Sequence, residues 1–149
     1  MPRVVLCPAA AEPEFTDERL VGEWAAELPK ILATPQQPPW CAYAVRVDDR
    51  VVGFGSFKAP PDPAGAVEIA YLTLLPDRGR GIAAAVCAEL VAIAFANHAT
   101  TVVAHTLPVF DASTAVLRSQ GFAMHGKVID PDDGPVWRWR WRRAPHASD

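Results

Sequence analysis

The chain has 149 residues, a length that suits one domain around one core, taken as residues 1–149. Half of the residues are apolar, 21% are charged and the formal net charge is -3; this excludes a disordered chain and argues against a general nucleic-acid binder, which would be basic. The 15 prolines fall in loops without a repeat, so collagen-like and linker readings fail.

Taken in chain order, Arg3 to Cys7 reads as a short strand. Thr16 can cap a helix whose first turn is acidic (Asp17, Glu18), and Leu20, Trp24, Leu28, Ile31 and Leu32 continue an apolar stripe bent by Pro29. Residues 33–39 form a Pro-rich loop. Trp40 to Val47 and Val51 to Phe57 alternate in strand fashion around the turn Asp48-Asp49-Arg50, which makes a hairpin. After a second Pro-rich loop, Lys58 to Gly65, Val67 to Leu75 is nearly all apolar, as in a strand buried on both faces. Gly79-Arg80-Gly81 opens an amphipathic helix marked by Ile82, Val86, Leu90 and Ile93 that ends near Asn97. Thr101 to Thr106 is a strand, Asp111 to Ser119 a short helix stopped by Gly121, and Phe122 to Ile129 and Val136 to Trp141 a last pair of strands. The order predicts an α/β fold: a mixed sheet of about seven strands with helices on both faces.

Cys7, Cys41 and Cys87 are too few and too scattered for a disulfide framework or a zinc site. The apolar stretch Ile82 to Ala96 is interrupted by Glu89 and is shorter than the ~20 residues of a membrane span. The first residues lack the apolar core of a signal peptide. A cytoplasmic protein with no metal and no membrane partner is expected.

The chemical information concentrates between residues 72 and 83. A buried strand runs into a loop with two glycines and two arginines, and a helix follows. Free N–H groups at a helix start bind phosphate, glycines let the backbone approach it, and Arg78 and Arg80 add charged donors. A P-loop would need Gly-Lys-Ser/Thr, which is missing. Gly79-x-Gly81-x-x-Ala84 also matches a dinucleotide fingerprint, but the next strand ends His105-Thr106-Leu107 without the acid that would hold a ribose.

Glu68-Ile69-Ala70-Tyr71 followed by Arg78-Gly79-Arg80-Gly81-Ile82-Ala83 resembles the acyl-CoA-binding core of the GNAT superfamily of N-acetyltransferases. The family loop Arg/Gln-x-x-Gly-x-Gly/Ala is met by Arg78, Gly81 and Ala83. The strand resembles the Glu-Ile-Gly-Tyr of the branch that holds ribosomal-protein and spermidine acetyltransferases. Ala112-Ser113 and Leu117 through Gly121-Phe122 resemble that branch's Asn-x-Ala-Ser…Leu-x-x-x-Gly-Phe segment, so the likeness spans about residues 66 to 123. Phe110 replaces the branch's Asn, and Leu117 stands where many members carry a Tyr general acid.

The resemblance implies mostly antiparallel strands and a central pair that splays at a bulge. Backbone groups of Leu72, Thr73 and Leu74 would hold the pantetheine arm of acetyl-CoA. The N–H groups from Gly79 to Ala83, including Ile82, would hold the pyrophosphate beside Arg78 and Arg80. It implies direct transfer of the acetyl group to a primary amine of a small molecule or peptide.

Glu68 is the first candidate for the base, acting through a water, since a carboxylate in an apolar strand is pushed toward neutrality by desolvation. Tyr71 is a candidate acid, or orients the thioester. Ser113 is a candidate contact to the pantetheine and proton donor to the thiolate. His105 and Cys87 read as structural, and Cys41 would be nucleophilic only if exposed beside a base. In Val136 to Arg143 the three Trp share one strand face and the arginines the other, which reads as a buried Trp face, with a homodimer contact or an acidic partner left open. Asp130, Asp132 and Asp133 would favour a cationic amine if they reached the pocket. Two other readings stand beside the enzyme: a catalytically degenerate module that binds acyl-CoA and regulates a partner, and a nucleic-acid module using the Trp/Arg strand.

Overall fold

The computed structural model describes residues 2–9, 37–73, 79, 81–131 and 133–142. Seven strands, β1 (Val5–Pro8), β2 (Ala42–Val47), β3 (Arg50–Phe57), β4 (Ala66–Thr73), β5 (Thr101–Thr106), β6 (Ala123–Asp130) and β7 (Gly134–Arg142), form one sheet in the order β1-β2-β3-β4-β5-β7-β6. Every neighbouring pair is antiparallel except β4–β5, which is parallel. Two helices are described, α1 (Ile82–Ala96) and α2 (Ala112–Ser119). The helix expected from Thr16 lies outside the described residues.

The parallel pair organises the molecule. β4 meets β5 only through Ala66, Val67 and Glu68, opposite Thr101, Val102 and Val103. Beyond that point Ile69–Thr73 keeps its ladder with β3, and Ala104–Thr106 keeps its ladder with β7. The two strands part between these ladders, so the splay is present. Among the described residues the register with β3 runs unbroken from Phe57↔Ile69 to Gly53↔Thr73, and the stretch of the expected strand beyond Thr73 lies outside them.

Strand alternation then assigns the faces. Val67, Ile69, Tyr71 and Thr73 face α1, as do Gly55 and Phe57 on β3. Close approach to Gly55 is what seats the helix: a Cβ there would lie 2.9 Å from Val86 Cγ1 and 3.2 Å from Leu90 Cδ1. The expected amphipathic helix is in fact apolar almost all round. Ile82, Ala85, Val86, Cys87, Leu90 and Ala94 are buried, and its outer face is alanine with Glu89. Ile93, expected on the stripe, is only partly buried, because Ala94 takes the core position.

β7 fits the predicted Trp/Arg alternation. Trp137, Trp139 and Trp141 pair with Thr106, Ala104 and Val102, on the helix face; Arg138 and Arg140 pair with His105 and Val103, on the face of Glu68. Trp139 is 2% exposed, and its Nε1 donates to Thr106 Oγ1 at 2.9 Å, so its burial leaves no indole N–H unpaired. Phe95 packs on Trp141 and the exposed Phe110 on Trp137. The strand is internal to the sheet, between β5 and β6.

α2 has a capping box. Asp111 Oδ1 accepts from the N–H groups of Ser113 and Thr114, while Thr114 Oγ1 accepts from Asp111 N–H. Gly121 ends it at φ 94, where a Cβ would stand 2.6 Å from Trp141 Nε1, so both the backbone and the space require glycine.

Candidate functional site

The splay opens a cleft of 460 Å³ lined by Tyr71, Leu72, Thr73, Gly79, Gly81, Ile82, Ala83, Ala84, Ala112, Ser113 and Val116. Six of the residues expected around the cofactor (Leu72, Thr73, Gly79, Gly81, Ile82, Ala83) therefore come together here, with Ser113. Leu74, Arg78 and Arg80 lie outside the described residues. Gly79 and Gly81 have φ 80 and 78, a left-handed conformation natural to glycine. Gly81 is the N-cap of α1, with no side-chain capping bond and no acid in the first turn. The first N–H groups of the helix therefore meet the cleft with the positive end of its dipole and no carboxylate in the helix's own first turn.

The β4 register refines the expected backbone contacts. Glu68 C=O accepts from Lys58 N–H at 2.9 Å, so Glu68 directs its peptide groups at β3. Alternation puts Ala70 and Leu72 on that same side and turns Ile69, Tyr71 and Thr73 toward β5. Leu72 pairs with Phe54 in the β3 ladder and also lines the cleft. In this register Tyr71 and Thr73 are the residues whose peptide groups face the splay.

A second cleft of 430 Å³ lies beside the first, and its lining includes Lys58, Glu68, His105, Asp111, Asp130 and Asp133. Tyr71, Leu72 and Ser113 line both clefts, so a group held in one can meet a group held in the other at these residues. Ser113 is exposed on the first turn of α2, where its N–H serves the Asp111 cap and its side chain faces the junction.

Glu68 is not a lone carboxylate in an apolar strand. Its Oε2 receives Lys58 Nζ at 2.8 Å and stands 3.0 Å from His105 Nδ1. The Glu68 and His105 side chains are 29% and 20% exposed. Burial works against the charge on Lys58, but the Glu68 carboxylate, helped by Asp130 and Asp133, outweighs it and raises the lysine pKa. The His105 Nε2 atom is buried and has no hydrogen-bond partner.

Tyr71 lines both clefts, and burial, with the Cys87 thiol nearby, raises its hydroxyl pKa. Burial also pushes the Cys87 thiol up to about 12, against a lowering by the Tyr71 bond. Cys41 is 2% exposed and its thiol pKa is raised by burial, so it is packing and not a nucleophile. Leu117, at 1% exposure, is a core residue. Among the described residues no group of three or more His, Cys, Asp or Glu side chains is arranged to hold a metal ion, and no helix is long and apolar enough to cross a membrane.

Sequence reasoning missed Lys58 and Asp111 as site residues and treated His105 as structural. The one available signal for Lys58 was register: in an antiparallel pair with Phe57 opposite Ile69, the next residue falls beside Glu68.

Comparison with known proteins agrees with this geometry. Residues 4–123 match the family model described as the acetyltransferase (GNAT) domain. A protein from Acinetobacter baylyi ADP1 that carries an acetyltransferase assignment superposes with TM-score 0.73 at 14% identity, over 95% of this chain and 91% of that one. AAC(6')-Ib in complex with ribostamycin and coenzyme A superposes with TM-score 0.61 at 18% identity, over 68% of this chain and 63% of that one, so the chain spans less than two thirds of its length. A ribosomal-protein-alanine N-acetyltransferase from Brucella melitensis gives TM-score 0.59 at 24% identity, over 68% of each chain. No curated protein matches the sequence significantly.

Proposed function

The chain belongs to the GNAT acetyltransferase family, and from that premise we propose that it moves the acetyl group of acetyl-CoA directly onto a primary amine. One observation carries the reading: the β4–β5 splay joins a cleft headed by the open N-terminus of α1 to a second cleft holding Glu68 and His105, with Tyr71, Leu72 and Ser113 common to both. The first cleft suits an acyl-CoA. Helix N–H groups from Ile82 to Ala84, with the glycines, take the pyrophosphate, and the peptide groups of Tyr71 and Thr73 take the pantetheine amides in strand fashion. Arg78 and Arg80, outside the described residues, are assigned to the phosphates by sequence, and Leu74 to the pantetheine arm.

The second cleft receives the acceptor. Carboxylates at Glu68, Asp111, Asp130 and Asp133 outnumber the one lysine there, and this favours a cationic amine, a small molecule or a peptide N-terminus. The amine nitrogen attacks the thioester carbonyl carbon, the C–S bond breaks, and coenzyme A leaves with a proton. Holding the two reactants at the junction supplies proximity. The Glu68–His105 pair removes the amine proton, and Ser113 is placed to return one to sulfur. Tyr71, tied to Cys87, shapes the wall and is not needed as an acid.

Calorimetric titration with acetyl-CoA tests the reading. Binding with a rise in melting temperature is expected, because a ligand of the native state stabilises it by mass action. No binding at millimolar acetyl-CoA would overturn it.

A further inference from the structure

We propose that within the Glu68–His105 pair the base is His105, through Nε2, and that Glu68 is the residue that positions it. The proposal rests on the acetyl-transfer reading above. Glu68 Oε2 carries the Lys58 ammonium at 2.8 Å and meets His105 Nδ1 at 3.0 Å. A carboxylate bearing an ammonium only accepts hydrogen bonds, so the proton in the second contact belongs to the ring. That places the hydrogen of the neutral imidazole on Nδ1 and a lone pair on Nε2. Nε2 is buried and accepts from no group in the protein, while the ring lines the acceptor cleft.

Glu68 is the poorer base for the same reason. An incoming amine would have to displace Lys58 from its oxygen. His105 has no such competitor.

Charged groups line the same cleft as the ring or flank it on the sheet. Glu68 comes from β4, Lys58 from the end of β3 and Asp111 from the cap of α2. Asp130 and Asp133 come from the β6–β7 turn, and Arg138 is the cross-strand partner on β7. Carboxylates predominate, so an imidazolium formed during transfer is accommodated, and its Nδ1–H stays on Glu68.

The step balances. The amine nitrogen bonds to the carbonyl carbon and the sulfur takes the C–S electron pair. The surplus N–H proton moves to Nε2, then by way of the Ser113 hydroxyl to the thiolate, leaving an N-acetyl amine, coenzyme A thiol and neutral His105.

The test compares wild type, His105→Asn, His105→Gln and Glu68→Gln. The readouts are the pH profile of kcat/KM with the fastest acceptor among peptides, polyamines, aminoglycosides and amino acids, and coenzyme A affinity by calorimetry. His105→Asn should keep coenzyme A affinity, lose on the order of 100-fold in kcat and lose the acid limb of the profile. His105→Gln should behave alike if the Asn variant folds poorly. Glu68→Gln should keep that limb, because its amide oxygen still accepts from Nδ1–H. Nitrogen NMR of the wild-type imidazole, assigned by the His105 variants, should show the proton on Nδ1.

A limb that survives in the His105 variants and vanishes in Glu68→Gln would overturn the proposal and make Glu68 the base. A ring proton found on Nε2 would overturn it without any kinetics. Absence of turnover by wild type with every amine would overturn the transfer reading itself and this proposal with it, whereas turnover with an unchanged His105→Asn profile overturns this proposal alone.

Discussion

Replacing Gly81 by Asp should separate cofactor binding from folding. Gly81 has φ 78 and ψ 9, so any side chain costs about 1 kcal/mol for the left-handed backbone. Space is available: among the described residues the added Cβ would meet only Pro2 Cδ, at 3.3 Å. The fold should survive with a melting temperature lower by about 2–4 °C, the shift expected per kcal/mol for a chain of this size. Binding should fare worse. The new carboxylate would stand at the N-terminus of α1, where the pyrophosphate is assigned. At about 5 Å and an effective dielectric near ~40, each phosphate charge costs about 1.7 kcal/mol, and two cost about 3 kcal/mol. That is a loss on the order of 100-fold in coenzyme A affinity. Gly81→Asn has the same shape without the charge and should lose less than about tenfold, on Coulomb grounds alone. Calorimetry at low and high salt is the assay, and salt should narrow the gap between the two variants. Coenzyme A affinity in Gly81→Asp within threefold of wild type would refute the assigned phosphate site.

Other consequences follow from the same geometry. Gly121→Ala combines a left-handed φ of 94 with a Cβ 2.6 Å from Trp141 Nε1; it should destabilise by about 2–4 kcal/mol, read by urea denaturation, and a loss below about 0.5 kcal/mol would contradict the packing. Of the three thiols, Cys41 and Cys87 are buried with raised pKa values, whereas Cys7 is partly exposed; native protein at pH 8 should show one fast thiol toward an aromatic disulfide reagent, and two at equal rate would contradict the core assignment. Lys58 has a folded-state pKa raised above its ordinary 10.5. Its bond to Glu68 therefore contributes stability that is fully present below pH 10.5 and is lost as pH rises through the raised value. Lys58→Met should flatten that part of the melting-temperature profile, and an unchanged alkaline limb would count against the ion pair.

Much of the fold was legible because local signals agreed with one another. Alternation located β2, β3 and β7, the two glycines bracketed the start of α1, and Asp111 with Gly121 bounded α2. The β5 limits, Thr101 to Thr106, came from β-branched composition alone. The helical period misled at α1, where alanines that looked polar-facing by position are simply the outer side of an apolar helix. The family pattern supplied the splay, where β4 leaves β5 after Glu68.

The site was less legible. The cofactor side depends on contiguous residues, the glycines and the helix start, so one segment of sequence reveals it. The acceptor side is assembled from five distant segments. Lys58 follows β3, Glu68 lies in β4, His105 is the penultimate residue of β5, Asp111 caps α2, and Asp130 and Asp133 flank the last turn. Only strand order and register bring them together, and no spacing in one segment encodes that. His105 looked structural because its partner, Glu68, is 37 residues away. The direction of the β4 peptide groups likewise depends on which residue opposes Lys58, a fact set by the loop Lys58 to Gly65 and its anchoring to Thr100.

The most direct measurement of the central claim is acetyl-CoA turnover against the amine panel, followed by free thiol release and by mass spectrometry of the acceptor. Thiol release should match formation of an N-acetylated amine mole for mole, fastest with cationic acceptors. Acetyl-CoA that binds with no amine ever acetylated would contradict the account and leave an acyl-CoA-binding module in its place.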